Sequence, residues 1–225
     1  MADPRSADQF SLSRDAMVQR LLREGYLRTP AVAHAMRTVP RHLFLPPRQQ
    51  RLAYIDSPQE IGEGQTISAP HMVAMMLERL ELAPGQKVLE VGGGSGYHAA
   101  CVAQLVRPGG KVWSVEYVEK LAERSQANLL AAGVPAGEVV VVTGDGSLGM
   151  ETDAPFDRIF ISCAAPEVPP PLLKQLRSPG ILLAPVGSRH MQSLVRVLKS
   201  PEGRLTREDH GGCMFVPLRG KYGFD

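Results

Sequence analysis

Cysteine is scarce in this chain. Three occur in 225 residues, at positions 101, 163 and 213, an odd number with no C-x-x-C pair. That excludes a disulfide framework and a structural zinc site, and it predicts three buried thiols in a reducing compartment. The six histidines are dispersed, with no H-x-x-x-H spacing, so no metal site is expected. Aromatics make up 5% of the chain and the net charge is +2, which argues against a nucleic-acid surface. No apolar run approaches the ~20 residues that a membrane span requires. The opening residues, Met1 to Asp8, lack an apolar signal core, and a cytoplasmic location is expected. There is no internal repeat or low-complexity tract. What remains is an ordinary globular composition, 44% hydrophobic and 21% charged.

The chain divides by pattern. Residues 10–53 read as helix, with Met17, Leu21 and Leu22, then Val32, Ala35, Met36 and Val39, at helical spacing. Pro40, Pro46 and Pro47 break this region into pieces. Residues 54–70 read as loop, and a helix is expected from His71 to Leu80. After Pro84-Gly85 the pattern changes to alternating strands and helices. Strands are expected at 87–91, 111–116, 139–143, 156–162, 180–186, 193–199 and 214–218, with the last two antiparallel. Helices are expected at 97–105, 119–132 and around 172–176. This alternation predicts an α/β fold with a doubly wound, mostly parallel seven-stranded sheet.

The most informative segment is Val88-Leu-Glu-Val-Gly-Gly-Gly-Ser-Gly96, an apolar strand running into a glycine cluster that opens a helix. Glycines there let a ligand touch the backbone, and the helix N-terminus offers free N–H groups. The spacing of Gly92, Gly94 and Gly96 is G-x-G-x-G. A dinucleotide site prefers G-x-G-x-x-G, whose last position here is Tyr97. The tighter spacing suits a ligand without a pyrophosphate, such as S-adenosyl-L-methionine. Glu116 closes the next strand 20 residues on, where a carboxylate can accept from two ribose hydroxyls; alone it would read as a solvated acid. Asp145-Gly146 closes the third strand. Asp145 can reach an adenine amine while Gly146 leaves room for the ring, or the pair can be a plain turn. Glu90 lies inside an apolar strand and must be hydrogen-bonded there, either bracing the glycine loop or touching the amino-acid part of the cofactor.

A second signal is Ile61-Gly-Glu-Gly-Gln-Thr-Ile-Ser-Ala-Pro-His71, small polar side chains on a loop just ahead of the strand-rich region. Ser68 can be a substrate-facing hydroxyl or the N-cap of the following helix. It has no His/Asp partners at fixed spacing. The lipase-type G-x-S-x-G elbow is also absent, because Ser95 stands fourth in residues 92–96.

These residues resemble the protein-L-isoaspartate O-methyltransferase family from about Met17 to Leu218. Six segments carry the resemblance: Ala35–Phe44, Ala53–Asp56, Gly64–Met72, Val88–Tyr97, Ala164–Pro169 and Phe215–Leu218. The string Gln-Thr-Ile-Ser-x-Pro is the most specific. The resemblance implies a Rossmann-like class I methyltransferase core over residues 84–225, with an N-terminal helical and substrate-loop region over 1–83. It implies methylation, from S-adenosyl-L-methionine, of the free carboxylate of L-isoaspartyl residues in damaged proteins and peptides. It places the catalytic serine on Ser68. Cofactor contacts fall on Glu90, Gly92, Gly94, Ser95, Gly96, Glu116, Asp145 and Gly146. Substrate contacts fall on Gln65, Thr66, Ile67, His71, Val216, Pro217 and Leu218. A monomer without nucleic-acid or membrane partners is expected. Two departures occur: Gly93 stands where the family usually has threonine, which should loosen the turn, and Cys163 stands where it often has a small residue or threonine. Alternatives remain open at this point: a methyltransferase acting on ordinary aspartates in a dedicated peptide, or a non-catalytic reader of modified carboxylates.

Overall fold

The computed structural model describes residues 4–224. Residues 1–3 of the opening segment fall outside them. Helices α1 (Pro4–Arg23), α2 (Pro30–Thr38) and α3 (Pro70–Leu80) precede the sheet, with two short 3₁₀ turns at Arg41–Phe44 and Pro47–Leu52. Proline occupies the first turn of α2 and α3, where its missing N–H is no loss.

Residues 54–70 were expected to be loop, and here the structure corrects the sequence. β1 (Gln59–Gly62) and β2 (Gln65–Ile67) form an antiparallel hairpin. Its two-residue turn has Glu63 and Gly64 both at positive φ, as a tight hairpin with right-handed twist requires. Only Ile61 and Ile67 point inward, too few for an alternating pattern to announce strands.

The main sheet follows: β3 (Lys87–Val91), β4 (Lys111–Glu116), β5 (Val139–Thr143), β6 (Phe156–Ile161), β7 (Leu176–Gly187), β8 (Gln192–Lys199) and β9 (Leu205–Cys213). Helices α4 (Tyr97–Val106), α5 (Glu119–Ala131) and α6 (Pro170–Gln175) alternate with them. The strand order is β5-β4-β3-β6-β7-β8-β9, parallel from β5 to β7 and antiparallel from there to β9. This is the expected seven-stranded, mostly parallel sheet. The last strand is displaced, however. It is Leu205–Cys213, and residues 214–218 form an extended segment bridged to Ala164 instead. β9 is an edge strand of mostly exposed polar residues, so it carries no apolar alternation. Pro217 has no N–H to give to a ladder, which argues against a regular strand at 214–218.

β3 is buried on both faces. Val88 and Glu90 face the layer formed by α2, α3 and α4, while Leu89 and Val91 face the second apolar layer with Trp113, Ile159 and Ile161. Met17, Leu21, Met36, Phe44 and Leu77 from the N-terminal helices share one apolar cluster with Val102 and Leu105 of α4. At roughly 25 cal/mol per Å² of apolar surface removed from water, this shared core fixes the N-terminal region against the sheet. The carboxyl ends of β3, β4 and β6 diverge at the switch in strand order, where open α/β sheets bind ligands. The hairpin lies across that edge. Ile61 Cδ1 comes within 3.5 Å of where a side chain on Gly94 would begin, and the Arg124 guanidinium bonds the carbonyl of Ile61.

Candidate active site

The glycine loop turns sharply out of β3. Gly92 and Gly94 have φ of +87° and +54°, a region that L side chains rarely enter. A Cβ on Gly92 would also stand 3.1 Å from Cys163 Sγ. Gly96 precedes α4 and does not line a cleft; a Cβ there would press on Ser125 Oγ, so it serves helix packing. At Gly93, expected to loosen the turn, the structure has no room for a side chain. The space that a Cβ would take is filled by the Ser114 hydroxyl, which bonds Glu90.

Glu116 braces the loop from β4. Its Oε2 accepts from the Gly94 N–H at 2.7 Å and its Oε1 from the Val118 N–H at 2.9 Å. A carboxylate offers about four acceptor sites, so two remain for a diol. Gln65, Thr66, Gly92, Gly94, Glu116, Tyr117, Gly146, Ser162 and the segment Val216–Leu218 line this trough. Pro217 and Leu218, expected at the substrate, border this trough, and Val216 borders both it and the cleft on the other side of Thr66. Asp145 stands behind Gly146. Its Oδ1 accepts from the Ser147 N–H and hydroxyl and its Oδ2 from the Lys221 N–H, so most of its acceptor capacity already holds the 3₁₀ turn and the C-terminal segment.

Behind the loop lies a small cavity lined by Ile67, Ser68, Glu90, Gly92 to Ser95, Tyr97, His98 and Ser162. Glu90 sits opposite Ser114 in the β3–β4 register and opposite Phe160 in β3–β6. Ser114 satisfies Glu90 Oε2, while Oε1 has no partner among the described residues. Burial pushes the Glu90 carboxyl up to about 8, against the opposing effect of the Ser114 bond. His98 leans on Phe160 with ring centroids 4.6 Å apart, and its Nε2 also lacks a partner. Burial pushes it down to about 3, which leaves a neutral imidazole. Tyr97 Oη and Ser162 Oγ are two further unpartnered polar atoms on this cavity. Buried polar groups are normally paired, so the orphans on Glu90, Tyr97 and His98 around one cavity fit a ligand with a charged, hydrogen-bonding end. With the two remaining acceptor sites on Glu116, the residues fit the amino-acid and ribose parts of S-adenosyl-L-methionine.

The third cleft, of about 550 Å³, opens on the other side of Thr66. It is lined by Pro58, Ser68, Ala69, His71, Met72, Ser162, Arg189, His190 and Gly212 to Val216. Ser68 does not cap α3; the N-cap is Ala69 with no side-chain bond. Its hydroxyl is thus free for a ligand. His71 is set by Asp56, whose Oδ1 receives the His71 backbone N–H at 2.9 Å and contacts Nδ1 at 3.0 Å. Gln65 lies at the trough rather than in this cleft.

Two contributors were not read from the sequence as site residues, although both lie in segments that carry the resemblance. Asp56 is one. The other is Arg41, fully buried, donating from Nε to the Ala53 carbonyl at 2.7 Å and from Nη2 to the Ser68 carbonyl at 2.8 Å. Its guanidinium lies 4.8 Å over the Tyr97 ring. It therefore ties the serine loop to the first residue of α4. Ser162 was read only as the end of a strand, and a single strand-terminal serine offers no pattern to find it by.

Comparison with known proteins bears on this arrangement. The family model described as protein-L-isoaspartate(D-aspartate) O-methyltransferase matches residues 12–223. A protein-L-isoaspartate O-methyltransferase of Methanopyrus kandleri is 52% identical over 96% of this chain and 95% of its own. That of Hyperthermus butylicus is 48% identical over 98% of this chain and 94% of its own. A Plasmodium falciparum crystal structure described as the same enzyme, in complex with S-adenosyl-L-homocysteine, superposes with a TM-score of 0.81 at 27% identity, covering 92% of this chain and 98% of that one.

Proposed function

Because this chain belongs to the protein-L-isoaspartate(D-aspartate) O-methyltransferase family, we propose that it methylates the free carboxylate of L-isoaspartyl residues in damaged proteins and peptides. The observation that carries the reading is the meeting of two clefts at Thr66 and Ser162, one built on the glycine loop and the other on Ser68.

S-adenosyl-L-methionine supplies an electrophilic methyl group on a sulfonium. Glu116 is suited to the ribose hydroxyls, Gly146 to the adenine edge, and Glu90 with Ser95 to the amino-acid end. Asp145 is assigned a supporting role at the adenine end, with one acceptor site left. Ser68, on the neighbouring cleft, would donate a hydrogen bond that orients a substrate carboxylate oxygen for attack on the cofactor's methyl group. No general base is required, since a carboxylic acid with an unperturbed pKa near 4 is already ionised at neutral pH. The hairpin's Thr66 and the C-terminal segment's Val216 line both clefts where they meet. Thr66, His71 and Val216 are assigned to the peptide side, while Ile67, expected there, is buried against the cavity behind the glycine loop. The reading carries with it a monomer acting in the cytoplasm on protein substrates, without nucleic acid or membrane; no helix among the described residues is long and apolar enough to cross a membrane.

The test is methyl transfer from labelled S-adenosyl-L-methionine to a synthetic isoaspartyl peptide beside its aspartyl twin. Label in the isoaspartyl peptide alone is the expected result. Label in the aspartyl twin, or in neither, overturns the assignment.

A further inference from the structure

We propose that Ser162 is a second catalytic residue, its hydroxyl donating a hydrogen bond to the substrate carboxylate beside the one from Ser68. This rests on the carboxylate-methylating reading above.

Ser162 follows β6, where its backbone N–H is fixed to the Val91 carbonyl at 2.8 Å. The next residues are fixed too: Ala164 exchanges bonds with Val216 and Leu218, and Ala165 bonds the Pro185 carbonyl. The side chain thus projects from a backbone held on both sides. Its Oγ is buried and has no partner among the described residues. Together with Thr66 it borders all three clefts: the trough, the cavity behind the glycine loop and the substrate cleft. Ser68 borders only the last two.

The chemistry requires a donor in that place. A carboxylate presents two oxygens, and the reaction needs one of them held behind the methyl carbon. With one donor, the group can swing about its C–C axis. A second donor from the opposite wall fixes the plane of the carboxylate. The cofactor's charged end already has Glu90 and His98 around its cavity, whereas the peptide side has the hydroxyls of Ser68 and Thr66, of which Thr66 is exposed. A hydroxyl is also the right kind of donor, since it orients the anion without neutralising the charge that attacks.

The experiment compares Ser162→Ala and Ser162→Thr with the unaltered enzyme. Steady-state kinetics on the isoaspartyl peptide are measured together with adenosylhomocysteine affinity by calorimetry. Ser162→Ala should lower kcat/KM for the peptide by about 10- to 100-fold, as loss of a hydrogen bond to a charged group does. Adenosylhomocysteine affinity should stay within about twofold, and that binding also reports an intact fold. Ser162→Thr, which keeps the hydroxyl, should recover most of the activity. Undiminished turnover in Ser162→Ala overturns the proposal. So does a parallel loss of adenosylhomocysteine affinity, which would put the hydroxyl on the cofactor. An unaltered enzyme inactive on the isoaspartyl peptide overturns the reading on which this rests, and is told apart by failing before any substitution is made.

Discussion

Cofactor binding should release a proton from Glu90, and the size of that release follows from its burial. In the free enzyme the Glu90 carboxyl is held at about 8, so it is protonated at neutral pH. A cationic ammonium lodged against its unpartnered Oε1 favours the ionised form. Binding is then linked to proton loss, and apparent affinity rises with pH until the free enzyme ionises by itself. With a free-enzyme value of about 8, one pH unit of descent below it costs close to tenfold in affinity, or about 1.4 kcal/mol. From pH 9 to pH 7 the dissociation constant should therefore weaken about tenfold, and at pH 7 roughly 0.9 proton should leave per cofactor bound. Calorimetry of adenosylhomocysteine binding, in buffers of different ionisation enthalpy, measures that number directly. The ligand's own amino group titrates equally against any variant, so the difference from Glu90→Gln isolates the protein's share. Glu90→Gln should abolish it. Ser114→Ala removes a bond that holds the carboxyl down, and so should move the inflection upward. Equal proton release in unaltered and Glu90→Gln enzyme would refute the reasoning.

Four further outcomes follow from the same geometry. Ser68→Ala should lower turnover on the isoaspartyl peptide by about 10- to 100-fold and leave adenosylhomocysteine affinity nearly unchanged, because Ser68 does not cap α3 and borders the substrate cleft but not the trough. Glu116→Ala should weaken adenosylhomocysteine binding by at least tenfold in calorimetry, since it strips two acceptors from the ribose and orphans the Gly94 and Val118 N–H groups. Arg41→Met should lower the denaturation midpoint by about 2–4 kcal/mol of stability and reduce turnover, because the Ala53 and Ser68 carbonyls lose a buried donor. The ligand-free enzyme should also lose stability as pH rises from about 4.5 through 8 and then level off. Over that window the unfolded chain has released the Glu90 proton while the folded chain still holds it. Chemical denaturation across the range reads this, and Glu90→Gln should flatten it.

The legible parts of this molecule are those where one physical demand leaves a repeated mark. β3, β4 and β6 are buried on both faces of a parallel sheet, and their apolar runs show it. The glycine loop is legible because backbone at positive φ selects glycine at Gly92 and Gly94. The hairpin at 59–67 and the edge strand at 205–213 are not legible in that way. Each is held by backbone pairing with few inward side chains, so the ladder that makes it a strand leaves almost nothing in the residue pattern.

Within the site the same division holds, and it explains which residues stayed hidden. Ser68 sits in a run of unusual residues, and Glu90 is a charge among apolar neighbours; both conflict with their local surroundings. Arg41, Asp56 and Ser162 conflict with nothing near them in the chain. Arg41 precedes an ordinary 3₁₀ turn's apolar pair, and its work is done 27 residues away on the Ser68 carbonyl. Asp56 holds a histidine 15 residues later. Ser162 ends a strand as any small polar residue can, and what makes it chemical is the arrival of the hairpin's Thr66 opposite it. Orientation of a side chain by distant backbone is a property of the folded contact, not of the run of residues. The parts of this enzyme that bind are therefore written locally, while the parts that aim are written only in the fold.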